Sequence, residues 1–154
     1  MKGWIKRLAI GLITLGAVLI LLVSPSMADS SDITVYRDPS CNCCGGWIDH
    51  LVEEGFQPTE ISTADVETIK QQHHVPENFT SCHTAIVQGY VIEGHVPAAD
   101  IKRLLAERPE VAGIAVPGMP VGTPGMEDGD RRVSFTVFSF DQAGNTAMFH
   151  QYSF

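Results

Sequence analysis

The chain has 154 residues, 44% of them apolar, with 18 acidic against 10 basic side chains and a net charge of −8. A body this acidic is a poor fit to nucleic acid and to anionic lipid surfaces, and a good fit to cations. Of the four cysteines, three fall in one tetrapeptide, Cys41-Asn42-Cys43-Cys44.

Residues 1–28 have a composition of their own. Lys2, Lys6 and Arg7 give a positive start, Leu8 to Val23 is a run of 16 residues without a charge, and Ser26-Met27-Ala28 follows as a small-x-small pattern. The run is short of the roughly 20 residues that a spanning helix needs. It predicts a signal peptide cut after Ala28, with an uncleaved membrane anchor as the alternative. Either way the body is expected outside the cytoplasm, in the periplasm or an equivalent compartment, and a membrane contact is expected only if the segment stays uncut. Without it the chain keeps seven basic and eighteen acidic residues, a charge of −11. Residues 29–154 suit one domain with one core.

Ile33 to Tyr36 reads as a strand, Asp38-Pro39-Ser40 as its turn, and Gly45 to Gly55 as a helix with Trp47, Ile48, Leu51 and Val52 on one side. The thiols are therefore expected at a helix N-terminus, where unpaired N–H groups and the helix dipole favour thiolate over thiol. Phe56 to Ile61 reads as a second strand, held to an edge by Pro58. Thr63 caps a helix over Ala64 to Gln72. Thr84 to Val87 and Tyr90 to Ile92 are β-branched runs about Gln88-Gly89, a hairpin signal. Pro97 opens a helix through Glu107. From Gly113 to Gly125 the density of glycine and proline excludes a helix. Val133, Phe135 and Val137 then alternate with polar residues, and Thr146 to Tyr152 follows a turn at Asp141 to Asn145, giving a C-terminal hairpin.

The order β, α, β, α, β, β, α is that of a thioredoxin-like fold, an α/β (α+β sandwich) class, here with an added Gly/Pro-rich loop and a C-terminal β-hairpin. In that fold three loops converge on the start of the first helix: the cysteine loop, Ser81-Cys82-His83-Thr84 before the third strand, and Glu93-Gly94-His95-Val96-Pro97 after the fourth. Redox thioredoxins carry a cis-proline before the third strand, which shields the thiols from metal. Cys82 or His83 stands in its place here, and that exchange of a proline for soft ligands points to metal binding.

Thiolates select copper(I), zinc or iron–sulfur centres. Cys41, Cys44, Cys82 and one histidine would satisfy tetrahedral zinc. Copper(I) accepts fewer ligands and welcomes thioether sulfur, which Met119 and Met126 offer from the Gly/Pro-rich loop, and surplus thiolates can bridge two or more copper(I) ions. The candidate metal set is thus Cys41, Cys43, Cys44, Cys82, His83, His95, Met119 and Met126.

Other readings stand beside this one. Cys41 and Cys44 form a CxxC pair, so a metal-free thiol–disulfide oxidoreductase would use Cys41 as exposed nucleophile and Cys44 as resolving thiol. A zinc-stabilised binding module and a purely structural disulfide framework complete the alternatives, although adjacent Cys43 and Cys44 make poor staples and a CxxC loop gains little closure entropy. His95 could instead cap the following helix or hydrogen-bond a backbone carbonyl, and the two methionines could be apolar filler of a covering loop. His50 and the pair His73-His74 read as surface, and Trp47 as a packing residue beneath the site.

At these residues the chain resembles the CopG-like family of exported copper-resistance proteins. The matching segments are CNCCGGW at 41–47, SCHT at 81–84, EGHVPA at 93–98 and GMPVGTPGME at 118–127. The resemblance implies a small metal-binding protein of thioredoxin-like fold, copper bound at the cysteine cluster, and copper or thiol redox activity, so whether the chain is an enzyme stays open. Its expected partners are copper ions and a protein that exchanges copper or electrons with it.

Overall fold

The computed structural model describes residues 31–154. The segment read as a signal peptide or anchor lies outside the described residues. No described helix is long and apolar enough to cross a membrane.

The chain runs β1 (Asp32–Arg37), α1 (Asn42–Glu53), β2 (Gln57–Ser62), α2 (Val66–Gln72), a short 3-10 turn at Glu77–Phe79, β3 (His83–Val87), β4 (Tyr90–Glu93), α3 (Ala98–Glu107), β5 (Gly113–Ala115), β6 (Phe135–Phe140) and β7 (Thr146–Tyr152). The seven strands form one sheet in the order β2-β1-β3-β4-β5-β6-β7. β1 pairs parallel with β2 and antiparallel with β3, which pairs antiparallel with β4. This is the expected thioredoxin-like half, with Pro58 in the edge strand β2, where its missing N–H breaks no second ladder.

Three boundaries differ from the sequence reading for local reasons. Helix α1 begins at Asn42 rather than Gly45, because Cys41 is itself the extended N-cap, with its N–H donated to the Asp38 carbonyl at 3.0 Å. Asp65, not Thr63, caps α2, accepting the Thr68 N–H at 3.4 Å, while the Thr63 hydroxyl accepts the Asp65 N–H one step earlier. Strand β5 was not expected within a Gly/Pro-rich stretch. It forms because Gly113 has no side chain: a Cβ there would lie 2.2 Å from the Val91 carbonyl oxygen, so only glycine allows the backbone to close against β4. Through β5 the C-terminal hairpin becomes a continuation of the sheet, since β5 pairs with β4 on one side and β6 on the other.

The main core lies between one sheet face and helices α1 and α3, where Trp47, Leu51, Ile101 and Leu104 pack on Val35, Ile92, Ile114 and Val137. Each such fully buried apolar side chain contributes roughly 1.5–3 kcal/mol. A smaller cluster, built on Val75, Phe79, Val91 and Phe140, covers the opposite face. The hairpin is fastened to α3 by Asp100, which is buried and accepts from both His150 at 2.7 Å and the Tyr152 hydroxyl at 2.8 Å.

His50 is not the surface residue its position suggested. It is half-buried, and its Nε2 accepts the N–H of Ala98, the first residue of α3, at 3.1 Å. Only a neutral imidazole can accept there, and burial holds its pKa below the usual value, partly offset by Glu54, Glu127 and Glu53. The folded state therefore binds fewer protons than the unfolded chain below about pH 6.5, so the stability is present above that pH and is lost as pH falls through the folded-state pKa. Thermal unfolding midpoints should drop between pH 7.5 and 5, and His50→Gln, which keeps an acceptor but cannot titrate, should flatten part of that drop. Equal slopes in the two proteins would show that His50 carries none of it.

Candidate metal centre

The site is assembled by strand register. Arg37 closes β1 opposite His83, the first residue of β3, so the segment leaving β1 runs beside Cys82. The Arg37 guanidinium donates to the Cys41 carbonyl at 3.0 Å and pairs with Glu60 at 2.8 Å, fixing the start of the cysteine turn. One strand further, Thr84 pairs with Glu93 at the end of β4, which releases the chain two residues before His95. No side chain caps α1 and its first turn carries no acidic residue, so Cys43 and Cys44 stand among N–H groups that favour negative charge.

Cys41 and Cys44 are joined in a disulfide, with Cys44 fully buried, while Cys43 and Cys82 are free thiols. The Cys43 sulfur lies 3.5 Å from that of Cys41, 3.9 Å from that of Cys82 and 4.0 Å from the Met119 thioether. The Cys82 sulfur in turn lies 3.0 Å from His95 Nε2 and 3.3 Å from His83 Nδ1. Two ligand groups thus share Cys82: the four cysteines, and Cys82 with His83 and His95, the donor atoms within each group lying within 4.8 Å of one another.

Both imidazoles are fully buried. Burial pushes the pKa of each below the usual value, and for His83 the neighbouring His95 and Lys70 push in the same direction. Neutral imidazole is the form that binds metal. His95 Nδ1 lies 2.7 Å from the Pro124 carbonyl, an oxygen that can only accept, so Nδ1 carries the proton and Nε2 turns its lone pair to Cys82. His83 sits under the site against Trp47, ring centroids 4.3 Å apart, and its Nε2 has no well-aligned hydrogen-bond partner among the described residues. The Cys82 thiol is pushed up to about 12 by burial first and by Cys43 second. In the metal-free protein Cys82 is therefore a protonated thiol hydrogen-bonded to His95.

The structure brings together Cys41, Cys43, Cys44, Cys82, His83, His95 and Met119. Met119 lies at the solvent side, 52% exposed. Met126 closes the loop through its backbone, which bonds Thr123 and Gly122. The loop rests on α1 through Gly125, where a Cβ would lie 2.5 Å from the Trp47 nitrogen and 2.7 Å from the Cys43 carbonyl oxygen. Trp47 packs beneath the site as expected, with its indole N–H on the Val96 carbonyl at 2.8 Å. His95 does not cap α3, since His50 does. The backbone-carbonyl partner allowed for His95 is that of Pro124, whereas sequence reasoning passed over Arg37, because one arginine beside a turn carries no pattern. The donors are soft sulfur and neutral nitrogen, a set that fits copper(I) or zinc and not a hard oxygen-seeking cation.

Residues 79–126 match a sequence family described as a protein of unknown function, DUF411, a span that contains Cys82, His83, His95 and the Met119 loop. No curated protein matches the chain. Two solved structures do. One, described as form 2 of the copper resistance protein CopG, is 45% identical with a TM-score of 0.76, over 79% of this chain and 97% of that one. The other, described as form 1, is 44% identical with a TM-score of 0.78, over 82% of this chain and all of that one, 100%. With that identity over nearly the whole of both solved chains, and with the cysteine and histidine loops folded onto one helix start, this chain belongs to the CopG family of copper-resistance proteins.

Proposed function

We propose that the chain is an exported, periplasmic copper-resistance protein that binds copper(I) through Cys41, Cys43, Cys44 and Cys82, with His83 and His95 completing the site and Met119 at its mouth. The observation that carries this reading is the meeting of four cysteine sulfurs with two neutral imidazoles around Cys82. One thiolate-bound ion needs fewer sulfurs than this, so the surplus supports more than one copper(I) bridged by thiolate. Family membership supports copper over zinc, which the same donors would also hold.

The Cys41–Cys44 disulfide supports a redox component. Opening it takes two electrons and two protons from a dithiol-type reductant and yields two further thiols. Closing it returns two electrons, enough to reduce two copper(II) ions to copper(I). On this reading the protein confers tolerance by sequestering copper, by passing it to a partner protein, or by cycling copper and thiols together. A metal-free thiol–disulfide oxidoreductase remains the second reading, favoured by the same disulfide with Cys41 half-exposed and Cys44 buried.

Anaerobic copper(I) titration of the reduced protein against a competing chelator, with total metal counted and zinc as control, separates the two. Tight uptake of more than one copper, lost in Cys82→Ser, is the expected result. Weak uptake, together with a Cys41–Cys44 disulfide that exchanges readily in Cys82→Ser, leaves the oxidoreductase standing. A second expectation concerns the proton on Cys82. With its pKa at about 12, Cys82 should alkylate slowly at pH 8 in the metal-free protein and faster at each step toward pH 11, and copper uptake at pH 7 should release protons. Rapid alkylation of Cys82 at pH 8 would contradict the buried, protonated thiol.

A further inference from the structure

Behind the metal centre, on the α2 side of the sheet, lies a buried ion pair that touches none of the sulfurs. Lys70 of α2 and Glu93 of β4 meet at 2.6 Å, with side chains 5% and 0% exposed. We propose that Glu93, paired with Lys70, is a positioning residue for the site: its carboxylate clamps the segment carrying Cys82 and His83 and so sets where those ligands stand. This rests on the copper(I) reading above for its function, though not for its geometry.

The contacts define the clamp. One carboxylate oxygen accepts the backbone N–H of Ser81 at 2.6 Å as well as the Lys70 ammonium, and the other accepts the Thr84 hydroxyl at 2.6 Å. Lys70 also donates to the Thr84 hydroxyl at 2.9 Å. Ser81 and Thr84 bracket Cys82-His83, so one side chain holds that dipeptide at both ends. Glu93 is also two residues before His95, and the Gly94 N–H donates to the His83 carbonyl at 3.0 Å. The same residue thus ties the Cys82 loop to the His95 loop. Strand alternation puts Thr84 and Glu93 on the α2 side and leaves His83 on the opposite face against Trp47, so the clamp acts through the ligands' backbone and not on the metal.

Packing alone does not account for the pair. Burying two charges costs desolvation that their attraction only partly repays, and apolar residues of similar volume commonly serve a core as well. What an apolar pair cannot do is accept the Ser81 N–H, a loop donor with no ladder partner. Burial pushes the Glu93 pKa above its usual value, and the Lys70 ammonium, the Thr84 hydroxyl and the Ser81 N–H counter that push by donating to its two oxygens.

The decisive comparison is between two double variants of the full chain, Lys70→Met with Glu93→Gln and Lys70→Met with Glu93→Leu. Neither leaves a buried charge unpaired. The glutamine retains an oxygen for the Ser81 N–H and an amide N–H for the Thr84 hydroxyl, whereas the leucine keeps volume and loses both. Two readouts are taken on proteins of matched far-UV circular dichroism. One is copper(I) affinity by chelator competition. The other is metal-free: the rate at which diamide closes Cys43 to Cys82, their sulfurs 3.9 Å apart, while Cys41–Cys44 stays oxidised. The leucine variant should lose roughly 10–100-fold in affinity and slow the closure, and the glutamine variant should restore both to within about threefold of wild type. A leucine variant matching wild type in both readouts overturns the clamp. If wild type binds no copper, the copper reading fails by itself, and the closure rate still decides the clamp. Should the leucine variant not fold, Thr84→Val removes one arm in an isosteric side chain: a slower closure supports the clamp, and an unchanged one refutes it.

Discussion

The pairing of Arg37 with His83 across β1 and β3 is the constraint on which the site depends. Every strand that feeds the centre ends at the same edge of the sheet because this register fixes where β3 begins relative to where β1 stops. A slip of one residue would turn His83 to the α2 face and carry Cys82 away from α1, since side chains alternate along a strand. Thr84 opposite Glu93 and Glu93 opposite Ala115 continue the same line, delivering His95 and then the loop bearing Met119. The sheet is thus a ruler, and the candidate ligands are the residues just beyond its marks.

On the proposed function the sulfur atoms would serve two chemistries that exclude each other atom by atom. A disulfide between Cys41 and Cys44 withdraws two donors and leaves Cys43, Cys82 and the two imidazoles. Reduction restores four thiols to one small volume at a helix start, where the dipole offsets part of their mutual repulsion. Cys82 belongs to both ligand groups, and burial holds its thiol in the protonated form. On the proposed function a soft cation would replace protons as the partner of the sulfurs, which would link loading, proton release and disulfide state in one cluster.

Much of this was legible from the sequence. The alternation and turn signals placed the βαβ half, the Gln88-Gly89 hairpin and the C-terminal hairpin, and the CxCC cluster before an amphipathic run located the thiols. The errors were local. A side-chain cap was assigned to Thr63 when Asp65 reaches farther into the turn, and β5 was hidden because glycine and proline weaken strand signals while Gly113 supplies the close approach that makes the strand. His50 read as surface because helical spacing shows which face a residue shares but not which other helix ends against it. Met119 stands 4.0 Å from the Cys43 sulfur, and Met126 closes the loop through its backbone at Gly122 and Thr123.

By itself the sequence determined the elements other than β5, their order and the soft donors, because periodicity and ligand chemistry are carried by neighbouring residues. It also supplied the four cysteines and the acidic charge, which argues against a nucleic-acid binder. Only the tertiary structure decided which sulfurs pair, which nitrogen of His95 faces Cys82, that His83 is buried against Trp47, and that Glu93 reaches both Ser81 and Thr84. Those are distances between segments far apart in the chain, and they follow from strand register and burial, which no local pattern encodes.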